Sequence, residues 1–329
     1  MMKTKRGSIG VHIKKLIAGF IPLLFLAFTI TSCSHSEKDN DFPDTGGIIS
    51  DTSTLNFFVL SDWGFSGSGT QREVAGEMSL VARKINLGFI LTCGDNFQVA
   101  GVKSTDDPLW KINFEDVYND SSLQVKWYPA LGNHDYLGNP DAQVEYTALS
   151  NTWTMPARFY SFVKQVNTTT FARFVVLDTQ DLVTRFQQLD AGQAPEAIAQ
   201  YSWVKNILAG AKEKWIFVTG HYPVYSSSNV HGDTPELKTL LRPLFEQYHV
   251  DFYICGHDHN FEHARENGEQ TDYIVTGTGG WARPEGSNSR TVFSLSAPGF
   301  TMVSLAADSA TLRFITADNH IGYSFVKRK

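Results

Sequence analysis

Cysteine is scarce, with three residues in a chain of 329, and Cys33, Cys93 and Cys255 are too few and too scattered to build a disulfide framework. Cys93 and Cys255 each close a strand-like apolar run just before a Gly-Asp or Gly-His pair. They read as buried free thiols, which pack as small hydrophobes; a bridge between them requires adjacent strands. Basic charge is short as well. At a formal net charge of -6 the chain lacks the positive face that displaces phosphate counterions, so no nucleic-acid partner is expected and any phosphate must be bound locally. There is no internal repeat, and no serine or cysteine nucleophile motif that would point to a covalent phosphoenzyme.

An apolar run long enough to span a bilayer is also missing. Leu16 to Ile30 follows Lys3, Lys5, Arg6, Lys14 and Lys15 and ends at Thr31-Ser32-Cys33, but its uninterrupted stretch falls short of the roughly 20 residues of a spanning helix. The pattern of basic, apolar and small residues predicts a removable signal rather than a transmembrane anchor. Ile30 to Cys33 resembles the lipobox of bacterial lipoproteins, which implies a lipid on Cys33, export, and anchoring to the cell envelope. Residues 34–54 begin with a polar tract that has no hydrophobic period and read as a tether. Residues 55–329 read as a single catalytic domain, and a hydrophobic content of 42% with 13% aromatics supports one large core.

Short β-branched or aromatic runs predict strands over Leu55 to Ser61, Leu87 to Cys93, Val125 to Leu131, Phe171 to Asp178, Lys214 to Thr219, Val250 to Cys255 and Asp272 to Thr276. Apolar spacings of three and four predict helices over Gln71 to Asn86, Ala197 to Ala211 and Thr234 to Tyr248. Thr301 to Leu305, Thr311 to Thr316 and Gly322 to Lys327 follow one another without helices, which suggests antiparallel hairpins. The sum is an α/β sandwich with mixed sheets.

The informative residues stand at the ends of these runs. Asp62 lies in Ser-Asp-Trp-Gly, Asp95 in Gly-Asp-Asn-Phe, Asn133 and His134 in Gly-Asn-His-Asp, His221 in Gly-His-Tyr-Pro, and His257 with His259 in Gly-His-Asp-His. One such motif means little, because turns use Gly and Asp for backbone reasons. Five in this order assemble hard and imidazole ligands where α/β folds build their sites. Two metals about 3.5 to 4 Å apart activate a water and clamp the attacking and leaving oxygens of a phosphoryl transfer.

These motifs resemble those of the calcineurin-like metallophosphoesterases, and more narrowly the small purple, or tartrate-resistant, acid phosphatases. Gly220 to Ser226, His231-Gly232 and Cys255 to Asn260 carry the narrower likeness. The resemblance implies a four-layer α/β/β/α sandwich with two mixed sheets and a metal-dependent phosphoric monoester hydrolase of acid phosphatase type, acting on small phosphorylated substrates through a metal-bound hydroxide. It implies two ions per chain, iron with iron, manganese or zinc. Asp62 and His259 would hold the first, Asp95 would bridge, and Asn133, His221 and His257 would hold the second. His134 and His231 would lie over the phosphate as proton donors or oxyanion contacts.

The chain departs from that pattern at two positions. Gln98 stands where purple acid phosphatases carry the tyrosinate that binds ferric iron and gives the colour. Gly64 stands where the wider superfamily has a histidine. A neutral carboxamide withdraws one negative charge, so the first site is expected to take a divalent or exchangeable ion, with the Gln98 carbonyl or water filling the gap. Two alternatives follow: a phosphodiesterase or nucleotide pyrophosphatase on the same core, and a non-catalytic surface lipoprotein that binds phosphorylated ligands. Asp135 and Asp258, beside ligands, either orient imidazoles or cap turns. His263 either lines the cleft or sits in a polar loop, His249 and His320 read as surface or packing residues, and Trp63, Phe97 and Trp281 are assigned no role.

Overall fold

The structure is a computed structural model that describes residues 54–189 and 192–329. The signal, lipobox and Cys33 expectations, and all but the last residue of the tether, lie outside the described residues. No helix among the described residues is long and apolar enough to cross a membrane.

Among the described residues, thirteen strands form two mixed sheets. The first contains β1 (Leu55–Leu60), β2 (Leu87–Cys93), β3 (Lys126–Ala130), β11 (Gly299–Leu305), β12 (Ser309–Thr316) and β13 (His320–Arg328), in the order β13-β12-β11-β1-β2-β3. The second contains β4 (Tyr160–Gln165), β5 (Phe171–Val176), β6 (Trp215–Thr219), β7 (Phe252–Cys255), β8 (Phe261–Ala264), β9 (Asp272–Thr276) and β10 (Thr291–Leu295), in the order β10-β8-β9-β7-β6-β5-β4. β1, β2 and β3 run parallel, as do β5, β6, β7 and β9, while β11, β12 and β13 close the first sheet with the expected antiparallel pairs.

Strand alternation sorts the core into layers. Phe57, Val59, Phe89 and Leu91 point between the sheets and meet Phe174, Phe217, Phe252 and Ile254. Their neighbours Phe58, Leu60 and Ile90 point outward to Val74, Met78 and Val81 of helix Gly69–Ala82. On the far side, Val175 and Val218 face Ala197, Val204, Leu237 and Phe245 of the outer helices. The result is the four-layer α/β/β/α order. Phe162, Phe174, Phe217 and Phe252 stack across β4 to β7 with ring centroids 5.0 to 5.1 Å apart, a cross-strand ladder that holds these strands in register. The C-terminal ends of the parallel strands β5, β6 and β7 therefore finish level, where the site forms.

Three strands, β4, β8 and β10, were not expected from the pattern. β8 buries Glu262 and His263 completely, so its polar residues hide a strand that alternation would reveal. The expected helix Thr234 to Tyr248 is two, Pro235–Leu240 and Arg242–Gln247. Pro243 lacks the N–H and its ring crowds the preceding turn, which ends the first helix. Helix Gly69–Ala82 stops four residues short of the expected Asn86.

Candidate metal centre

Each expected ligand leaves the C-terminal end of a parallel strand: Asp62 beyond β1, Asp95 beyond β2, Asn133 and His134 beyond β3, His221 beyond β6, His257 and His259 beyond β7. Asp62, Asp95 and His257 have positive φ of 56°, 48° and 70°, backbone conformations that cost about 1 to 3 kcal/mol each and persist where the surroundings enforce them. Gly94, at φ 91°, makes the approach possible: a Cβ there would lie 2.8 Å from His221 Nδ1 and 2.7 Å from the Gly132 nitrogen.

The two sheets bring these residues into one pit. One ligand atom each from Asp62, Asp95 and His221 lie within 4.8 Å of one another, and all three residues are buried. The His257 backbone N–H donates to Asp62 Oδ2 at 3.0 Å, and the His134 N–H donates to Asp95 Oδ1 at 2.9 Å. His259 Nε2 stands 3.5 Å from Asp62 Oδ1, and His221 Nε2 stands 3.5 Å from Asp95 Oδ2. His221 Nδ1 donates to the Cys93 carbonyl at 3.0 Å, so its Nε2 is a bare lone pair.

That lone pair is 2.9 Å from Asn133 Oδ1, an acceptor, with His257 Nδ1 3.0 Å from the same oxygen. As Asn133 is oriented, two acceptors face each other with no proton between them, and His257 Nδ1, 3.1 Å from His221 Nε2, has one proton at most for the pair; a cation among the three relieves this arrangement. Buried Asp62 Oδ1 and Gln98 Oε1 also lack partners, although buried polar atoms are nearly always paired. The donor set of carboxylate, carboxamide and imidazole suits iron, manganese or zinc, and the residues present fit a pair of such ions.

Electrostatics agree. Burial, and then the charge of Asp95, raise the Asp62 carboxyl well above the carboxylate range, and burial raises Asp95 to about 6. Burial pushes His221 down to about 4, and burial followed by the charge of Arg283 pushes His259 to about 3. Two buried carboxylates among neutral imidazoles repel each other without a cation.

Residues 55–261 match the calcineurin-like phosphoesterase family. The chain belongs to that family. It is 36% identical over 291 residues to tartrate-resistant acid phosphatase type 5 of Homo sapiens, covering 81% of this chain and 88% of that protein. It is 32% identical over 251 residues to purple acid phosphatase 4 of Arabidopsis thaliana, covering 70% and 72%. Among solved structures, GAP50, described as the anchor in the inner membrane complex of Plasmodium, aligns with a TM-score of 0.75 at 27% identity over 84% of this chain and 89% of that one. The yellow lupin purple acid phosphatase PPD1 shares the fold, with a TM-score of 0.62 at 17% identity over 84% and 54%. This calcineurin-like phosphoesterase is a purple acid phosphatase-like, dimetal enzyme.

Both departures from the family pattern have structural correlates. A Cβ at Gly64 would lie 1.9 Å from the Asn96 carbonyl oxygen, so this backbone has no room for the superfamily histidine. The Gln98 side chain lies beside Asp95 and helps to hold its carboxyl down, while its carbonyl oxygen is buried without a partner. Of the two proton-donor candidates, His134 Nε2 is 4.0 Å from Asp95 Oδ2, and the exposed His231 ring is 4.1 Å from the His257 ring.

The aspartates beside the ligands hold loops rather than imidazoles. Asp135 accepts from the backbone of Gly132, Asn96 and Phe97 and from Gln143 Nε2, at 2.8 to 3.2 Å. Asp258 Oδ2 accepts from Ser226 Oγ at 2.7 Å and from the Gly232 N–H at 3.2 Å, fixing the loop that carries His231. His263 is neither in the cleft nor in a loop: it is buried in β8, between Asp272 Oδ1 and Tyr323 Oη, both at 2.8 Å. Cys93 and Cys255 are free and buried. Trp63 and Phe97 are core residues, His249 and His320 are exposed, and Trp281 is 48% exposed.

Sequence reasoning missed three residues around the site. Thr179 Oγ1 accepts the His221 and Tyr222 N–H groups at 3.0 Å, the Tyr222 ring lies 4.3 Å from His257, and Arg283 adds its charge beside His259. Only Tyr222 carried a signal, its place in Gly-His-Tyr-Pro.

Proposed function

We propose that this chain hydrolyses phosphate monoesters, releasing inorganic phosphate. The single observation behind this is the convergence of acceptors in one buried pit, with Asp62 Oδ1 and Gln98 Oε1 unpartnered and Asn133 Oδ1 and His221 Nε2 facing each other at 2.9 Å, and with His134 and His231 at its mouth. Asp62, His259 and the Gln98 carbonyl would hold the first ion, Asn133, His221 and His257 the second, and Asp95 both. Iron paired with iron, manganese or zinc would lower the pKa of a water and neutralise charge on the phosphoryl group.

The protein's own side chains do the rest. His134, one-third exposed, and His231 reach the mouth, where they hydrogen-bond the equatorial phosphoryl oxygens and one of them protonates the leaving alkoxide. Asp258 and Asp233 keep His231 there: Asp233 accepts from the Ser226 N–H at 3.0 Å and pairs with Arg290 at 2.8 Å. The basic, apolar and Ile30 to Cys33 sequence supports export on a lipid carried by Cys33.

Metal content and hydrolysis of a monoester and a diester chromogen, measured across pH 4 to 9 on the full chain and on Asp95→Ala, test this reading. Two ions per chain, faster monoester cleavage, and loss of both ions and turnover in the variant are expected. Faster diester cleavage would transfer the site to phosphodiesters. One ion or none, with no turnover after supplying iron, manganese or zinc, would leave a binding protein.

A further inference from the structure

The connection from β9 to β10 forms one wall of the pit. The Gly279 N–H donates to the Ser61 carbonyl at 2.9 Å, next to Asp62, and the Arg283 N–H donates to the His259 carbonyl at 2.7 Å. Between these two ties stands Trp281. Its ring meets the His259 imidazole at 5.6 Å and Phe65 at 6.3 Å, both nearly edge-on, and it remains 48% exposed.

Arg283 lies over this indole, with Cζ 4.7 Å from a ring centroid. Apart from its charge contact with His259, that cation-π contact is its only side-chain interaction among the described residues, and no carboxylate pairs with it. An exposed tryptophan by itself is ordinary. An indole braced at two edges, topped by an unpaired guanidinium and touching a candidate ligand of the first ion, is placed to meet whatever extends from a phosphate held in the pit. The indole offers a stacking face for a planar ring, and the guanidinium offers a fork for a second phosphate.

We infer that Trp281 and Arg283 form a leaving-group subsite for a nucleotide that carries a phosphate beyond the one being cleaved. The inference rests on the monoester hydrolase reading. In the reaction, water adds to the phosphorus of the bound ester and the P–O bond to the ribose oxygen breaks. That oxygen leaves with a proton, giving inorganic phosphate and a nucleoside that keeps its other phosphate.

Three substrates separate ring from charge: adenosine 3′,5′-bisphosphate, adenosine 3′-monophosphate and glycerol phosphate. In Trp281→Ala, kcat/KM for the 3′-monophosphate relative to glycerol phosphate falls about tenfold, the size of one base-aromatic stack. In Arg283→Gln, kcat/KM for the bisphosphate relative to the 3′-monophosphate falls about tenfold, as a lost charge-assisted contact requires. Both losses fall on KM more than on kcat, because these contacts persist unchanged through the reaction. The bisphosphate also quenches a part of the indole emission that is missing in Trp281→Phe. Ratios within twofold of wild type, or equal quenching in Trp281→Phe, would overturn the subsite while leaving the hydrolase reading intact. Absence of turnover of all three esters by the wild type would instead remove the hydrolase reading, and the subsite with it.

Discussion

Asp135 ties together two of the turns that carry candidate ligands, and removing its carboxylate offers a quantitative test. The side chain is fully buried and accepts five hydrogen bonds: from the N–H groups of Gly132, just before Asn133, and of Asn96 and Phe97, just after Asp95; from Gln143 Nε2; and, at 3.5 Å, from Asn96 Nδ2, which also donates to the Ala130 carbonyl and so keeps an acceptor when Asp135 is removed. Burial and the charge of Asp95 raise its carboxyl to about 6, so it is ionised at pH 7.5. Asp135→Ala leaves four donors without an acceptor. At about 1 kcal/mol each, the lower end of the cost of an unsatisfied buried donor, the loss is about 4 kcal/mol. Asp135→Asn keeps one carbonyl oxygen and the volume, and should lose about half as much. Urea unfolding at pH 7.5 reads this as a lower midpoint with an unchanged m value, and metal content per chain should fall alongside it because both turns loosen. A loss in Asp135→Ala below about 1 kcal/mol, with full metal content, would refute the role of this carboxylate as the tie between the turns.

Two further perturbations probe the pit and the outer layer. The metal-loaded wild type should be colourless, whereas Gln98→Tyr loaded with iron should gain a visible charge-transfer band, since the phenolate restores the missing negative charge; a band in the wild type would refute the assignment of Gln98 as a neutral ligand. Glu77, 4% exposed and with Oε1 unpartnered, is raised by burial from 4.5 to about 7. The folded state therefore holds this proton more tightly than the unfolded state, and the stability it contributes below pH 4.5 is lost as pH rises through 7. Glu77→Gln should add about 1 to 2 kcal/mol at pH 8 and much less at pH 5.5, read by urea midpoints at both values, allowing for partial solvent screening; an equal gain at both would show that burial of the charge is not the cause.

The sequence by itself determined where chemistry could occur. Each candidate ligand sits at a strand end, and a run of β-branched and aromatic residues closed by Gly, Asp or His records both the strand and its terminus. The helix break had its signal in Pro243, although apolar spacing read one helix over Thr234 to Tyr248. Only the tertiary structure decided what those ends do together. Asp62 and the His257 N–H are 195 positions apart, yet they meet because the aromatic inner faces of two sheets pack and set the strand ends level. Burial periodicity carries no record of such partners. It could not show that Asp135 binds backbone rather than imidazole, that His263 pairs with Asp272 inside β8, or that Arg283 stands beside His259. A hydrogen bond or a charge contact depends on which segments lie within about 3 to 6 Å in space, and that separation is set by the packing of segments that the chain keeps far apart.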